Sequence, residues 1–114
     1  MQTSYFAKYR GAKGVSIAKF SPTSFKGRTY RKLAPPYWLL NHYKKTNDKE
    51  YYIEHYYEEI LNNLNAQEVY EELGEDVVLL CYERSDNFCH RHLVAEWFEK
   101  ELGIKIEERK YESK

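Results

Sequence analysis

Cysteine is scarce in this sequence. Two residues in 114 are too few to frame the disulfide scaffold of a small secreted domain. Long apolar runs are missing too: the longest, Val77–Cys81, falls far short of the roughly 20 residues that cross a bilayer. Near the start, Lys8, Arg10 and Lys13 interrupt every stretch that could form the apolar part of a secretory signal. No internal repeat, low-complexity run or linker is visible. These absences set aside membrane, secreted and multidomain organisation. They leave one globular domain over 1–114, expected in a reducing cytoplasm.

Acidic residues are also missing from the whole first part. Met1 to Asn47 carries ten basic residues and no carboxylate, whereas Asp48 to Lys114 carries all 18 acidic residues against 8 basic ones. The formal net charge of zero therefore hides two parts of +10 and −10. Such a split favours an anion-binding surface built from the first part, unless the two parts neutralise each other across one fold. Tyrosine, in contrast, is abundant at 12 residues, and Tyr5, Tyr9, Tyr30, Tyr37 and Tyr43 are interleaved with the basic residues. Aromatic faces beside Lys and Arg suit stacking on bases with charge on phosphates. Tyrosine also fills small cores with its hydroxyl reaching water.

Periodicity and turn residues predict the elements. Gln2 to Tyr9 reads as a first strand ending in the turn 10–14, and Val15 to Ala18 as a second. A loop over Ser21 to Arg28 follows, then a helical turn over Thr29 to Leu33, stopped by Pro35-Pro36. A short helix starts at Tyr37, and Asn47 or Asp48 caps the next. Ile53, Tyr56 or Tyr57, Ile60 and Leu64 give Lys49 to Asn63 an amphipathic pattern that leaves His55 on the wet face. Ala66 to Leu73 is another short helix with Gly74 as its stop. Asp76 to Tyr82 is a continuous apolar run suited to the central strand of a parallel sheet. After a polar loop, Glu83 to Asn87, comes a helix to Leu102 ended by Gly103, and Ile104 to Glu107 alternates as a last strand. Strand, helix and strand in that order predict a parallel βαβ unit. The expected architecture is α/β: a small, three-layer, Rossmann-like domain with a mostly parallel sheet and helices on both faces.

Chemistry concentrates in Leu80-Cys81-Tyr82-Glu83 and Phe88-Cys89-His90-Arg91-His92. In an open α/β sheet, ligands sit outside the carboxyl ends of the strands. The helix N-termini there offer free N–H groups and partial positive charge. On the helical wheel His90 lies within the apolar face, Arg91 and Cys89 on its flanks and His92 opposite. Three functional readings compete. Arg91 and the helix terminus could hold a phosphate or carboxylate, with His90 as a donor or proton carrier. Cys81, Cys89 and His90 could ligate a metal, although the C-x7-C-H spacing is unlike paired ligands and no fourth ligand is evident. Cys89 could be a thiolate activated by the helix terminus and Arg91. The plain alternative is two buried packing cysteines, a capping Asp86 and a satisfied core histidine. It accounts least well for Arg91, because an arginine in a first helical turn opposes the dipole.

Those same residues carry a resemblance. Leu79-Leu80-Cys81-Tyr82-Glu83 followed by Phe88 to Ala95 is similar to the signature of domain-of-unknown-function family 488, in which Cys-x-Glu ends a buried strand and Cys-His-Arg opens the next helix. Ser4 to Ala7, Val15 to Ala18 and Phe25 to Pro35 resemble the short members from bacteria and their phages. The resemblance implies a compact α/β fold and a pocket at Cys81, Glu83, Cys89, His90 and Arg91, with the loop from Lys26 to Pro35 opposite. The leading expectation is a phosphate-bearing partner, a nucleotide or nucleic acid, held by Arg91 with Arg28, Arg31 and Lys32. Cys81, Tyr5 and Arg10 complete the ligand contacts. An enzyme acting on such a ligand would use His90 and Glu83 as acid and base, with Cys89 as a further catalytic candidate. The reading names no cofactor and no bound metal. A thiol or metal protein built on Cys81 and Cys89, and a non-catalytic interaction domain using the acidic face of Lys49 to Asn63, are the alternatives.

Overall fold

The computed structural model describes residues 1–84 and 87–109. Its sheet contains β1 (Gln2–Tyr5), β2 (Gly14–Ser16), β3 (Arg28–Thr29), β4 (Val78–Cys81) and β5 (Glu107–Glu108) in the order β3-β2-β4-β1-β5. Every pairing is parallel, so the expected mostly parallel sheet is wholly parallel among the described residues. Helices α1 (Tyr37–Thr46), α2 (Lys49–Glu59), α3 (Ala66–Leu73) and α4 (His90–Leu102) complete a Rossmann-like α/β domain. None of them is long and apolar enough to cross a membrane.

The apolar run after Asp76 takes the middle of the sheet, and all four residues of β4 are buried. Residues of a strand alternate between faces. Val15 and Leu79, which are in register, turn one way into a core shared with the helices through Leu39, Tyr56, Val69, Val94 and Phe98. Leu80 turns the other way. There Gly14 gives room, because a Cβ would stand 2.7 Å from Leu80 Cδ1 and 3.4 Å from the Tyr9 ring, and the Leu80 side chain would have to shift. The Tyr9 ring, from the segment after β1, lies over that face at Gly14. β4 and β5 are parallel strands of one sheet with α4 between them in the chain, and β1 lies between them in space.

Several boundaries differ from expectation, for local reasons. The first strand stops at Tyr5 because the Lys8 and Tyr9 amides turn back to the Tyr5 carbonyl. The second stops at Ser16, whose hydroxyl accepts from the Ala18 amide. Arg28–Thr29 is an edge strand where a loop and the start of a helical turn were expected. Two residues are too few to carry a period, and the 3-10 turn proper is Arg31–Leu33. The helix expected to Asn63 ends at Glu59, since the Asn63 amide takes the carbonyls of Glu58 and Glu59 and a 3-10 turn follows. Its fully buried residues are Tyr52 and Tyr56 rather than Ile53 and Ile60, and Tyr56 OH donates to the Leu33 carbonyl at 2.6 Å. His55 is half-buried between Trp38 and Tyr51 rather than on the wet face. The last strand lies at Glu107–Glu108, after Ile106 has entered the core.

Candidate active site

Cys81 closes β4 and Cys89 is the N-cap residue of α4, so both stand at the carboxyl edge of the sheet, Cys81 on its central strand. The two cysteines, read from the sequence as separate thiols or metal ligands, are joined by a disulfide. Ala18 and Phe6 pack around the pair. Cys89 supplies no side-chain cap to α4, and the suggested cap Asp86 lies outside the described residues.

His90 is 5% exposed, and its Nε2 sits 2.7 Å from the Ile17 carbonyl oxygen. A carbonyl only accepts, so Nε2 carries the proton and Nδ1 keeps its lone pair. That lone pair faces Cys89 Sγ at 3.8 Å. Burial pushes the imidazole pKa down to about 4, the Ile17 bond opposes the shift and the charge of Arg91 adds to it. His90 is therefore a neutral base oriented by a backbone carbonyl, beside a sulfur. Ile17 had no side-chain signal for this role, because its contribution is a main-chain oxygen.

Arg91 is completely buried. Its Nε and one terminal nitrogen donate to the two carboxylate oxygens of Glu108 at 3.0 and 2.9 Å, and the other terminal nitrogen donates to Cys81 Sγ at 3.2 Å. The Tyr5 ring lies 5.7 Å from the guanidinium, and Thr3 Oγ1 donates to Glu108 at 2.6 Å. This answers why a cation stands in the first turn of α4: Glu108 on β5 outweighs the dipole. Glu108 is the residue sequence reasoning missed, since it lies beyond the strand expected at 104–107.

The other basic candidates have partners elsewhere. Arg28 donates to the carbonyls of Glu72 and Leu73, satisfying the C-terminal end of α3. Lys32 pairs with Glu72 at 3.1 Å, and Tyr30 OH donates to the same carboxylate. Arg31 is exposed at the start of its 3-10 turn. One cavity is lined by the cysteines and a second by Phe6, which packs on them. A pocket of about 110 Å³ is lined by Cys81, Cys89, His90, Glu83 and the rings of Tyr43, Tyr52 and Phe88. It brings Glu83 to the same space as His90. A wider cleft of about 730 Å³ is lined by Phe6, Tyr9, Phe25 and Tyr82 with the cations Arg10 and Lys26. Neither is lined by Arg28, Arg31, Lys32 or Arg91. Tyr82 lines both. His92 is held by the Asn87 backbone, and burial lowers its pKa.

In comparisons with known proteins, the sequence model of DUF488-N3a, described as the active DUF488-N3 subclade, matches residues 7–102. No curated protein and no solved structure matches the chain.

Proposed function

The chain belongs to the family DUF488-N3a, and from that premise we propose that it is a thiol-dependent enzyme whose reacting groups are Cys89, Cys81 and His90. One observation carries the reading: two sulfurs close enough to bond, with a neutral histidine lone pair aimed at one of them and fixed from behind. A nucleophile, a base and a group that orients the base form the usual arrangement of an activated thiol.

Once the bridge is open, a Cys89 thiolate 3.8 Å from Nδ1 favours the charged imidazole, so the pKa of about 4 that belongs to the disulfide form rises. His90 Nδ1 then takes the Cys89 proton, and the two form an ion pair. The thiolate attacks one sulfur of a substrate disulfide and releases the other as a thiolate. Cys81 then attacks Cys89 Sγ, releasing the second substrate thiolate and forming the bridge seen here. Arg91 supports Cys81 in the anionic form that this attack needs. Overall, one disulfide is reduced to two thiols while the cysteine pair is oxidised by two electrons. A reducing cytoplasm, the location we propose, regenerates the dithiol.

The test is trapping. Reduced Cys81→Ser treated with a small aromatic disulfide should hold one mixed adduct on Cys89, and Cys89→Ser should hold none. Equal adducts on both variants, or none on either, would overturn the assignment.

A second reading, a phosphate-bearing ligand such as a nucleotide or nucleic acid, is favoured by the wider cleft. Its lining has four aromatic rings, Arg10, Lys26 and no carboxylate. Here the phosphate contact falls to Arg10 and Lys26, since Arg91 is already satisfied by Glu108. Such a ligand would lie against Phe6 and Tyr82, next to the sulfurs.

A further inference from the structure

We infer that, once the disulfide is opened, Cys81, Cys89 and His90 form a three-ligand site for a zinc-type divalent cation, with the fourth position facing the 110 Å³ pocket and Glu83. This rests on the cysteines being a reversible pair, as proposed above.

All three residues are buried, and their ligand atoms lie within 4.8 Å of one another. Zinc bonds of about 2.3 Å to sulfur and 2.0 Å to nitrogen set tetrahedral ligand spacings of about 3.8 Å between sulfurs and 3.5 Å from sulfur to nitrogen. Cys89 Sγ and His90 Nδ1 already stand 3.8 Å apart. Breaking the S–S bond lets the sulfurs separate to the same spacing by side-chain rotation. The imidazole needs no rearrangement. Its Nε2–H on the Ile17 carbonyl is the outer bond that metal-ligating histidines make, and it leaves Nδ1 as the donor.

Charge supports the same conclusion. Two thiolates balance a divalent cation, while Arg91 is balanced by Glu108 and can donate to Cys81 Sγ from outside the coordination sphere. The steps balance as well. An external thiol pair supplies two electrons and two protons to the disulfide and itself becomes a disulfide. The cation then displaces the two thiol protons to solvent, and neutral His90 contributes its lone pair without losing a proton. The missing fourth protein ligand, which weakened this reading from the sequence, is what an open coordination position facing a cavity requires.

Cobalt(II), added to the full chain after reduction with a phosphine, is the probe. The expected result is one tetrahedral cobalt per chain, with intense visible bands and a thiolate charge-transfer band, all displaced by zinc. The unreduced protein should show none of these bands, which serves as a control independent of any substitution. Cys89→Ser and His90→Ala should lose the tetrahedral spectrum, and His92→Asn should keep it. A pale octahedral spectrum, or bands that persist in Cys89→Ser, overturns the metal site. If that happens while the mixed adduct on Cys89 still forms, the thiol reading stands alone. If no adduct forms and cobalt is not bound, both fall.

Discussion

Arg91 is fully buried and makes three hydrogen bonds into the fold, two of them to one carboxylate. Removing one partner of a buried ion pair leaves the other charge uncompensated, at a cost of about 3–5 kcal/mol. Arg91→Ala should therefore lower the urea midpoint by that much stability; a loss under about 1 kcal/mol would mean that Glu108 finds water instead. His90 makes a separate pH prediction. Its folded pKa is about 4 against an ordinary 6.5. Between those values the unfolded chain binds a proton that the folded chain refuses, so stability rises with pH. In the disulfide form the contribution is complete above pH 6.5 and disappears toward pH 4, amounting to about 3 kcal/mol. Unfolding curves of His90→Gln and the parent should diverge across that window; parallel curves would contradict it. Cys89, His90 and Arg91 were legible as a cluster because reactive side chains stand together in the sequence. Their partners were not. Glu108 and the Ile17 carbonyl are brought in by sheet pairing and by main chain, and neither leaves a local signature.

At the scale of elements, strong patterns were read well and short ones poorly. The apolar run of β4 forced a central strand, and α4 buries Leu93, Val94, Trp97 and Phe98 as its period required, ending at Gly103 in the left-handed region (φ 67°). The two-residue strands β3 and β5 were misplaced, because their pairing is set by the neighbouring strand rather than by their own residues. In α2 the bulky tyrosines displaced the isoleucines from the deepest positions, a tertiary choice that hydrophobicity alone does not reveal. Its start was legible: Asp48 accepts from the Tyr51 amide at 3.1 Å, while Asn47 ends α1 in the left-handed region. Asp48→Ala should cost about 1 kcal/mol by thermal denaturation, as loss of a side-chain N-cap does. A neutral result would show that α2 is held by its core face alone.

For the whole molecule, the sequence split of +10 and −10 is partly closed by folding. Lys13 pairs with Asp76, Lys32 with Glu72, and Arg28 with the end of α3. Arg10 and Lys26 remain around the wide aromatic cleft. A thermal-shift screen of nucleotides and short oligonucleotides at two salt concentrations should give stabilisation that weakens with salt and is lost in Arg10→Ala/Lys26→Ala. Stabilisation that is kept in the double variant would place the ligand elsewhere. Tyr82 lines both this cleft and the sulfur pocket, so the proposed binding and the proposed reaction would be neighbours. The proposed reaction depends on the cysteine pair. The most direct measurement is intact mass and alkylation of the native protein before and after reduction. The expected result is a Cys81–Cys89 bridge two hydrogens lighter than the dithiol and, after reduction, modification of Cys89 by iodoacetamide without denaturant, slowed in His90→Gln. Cysteines that are unbridged and alkylate only after denaturation would be packing residues, and the proposed chemistry would be wrong.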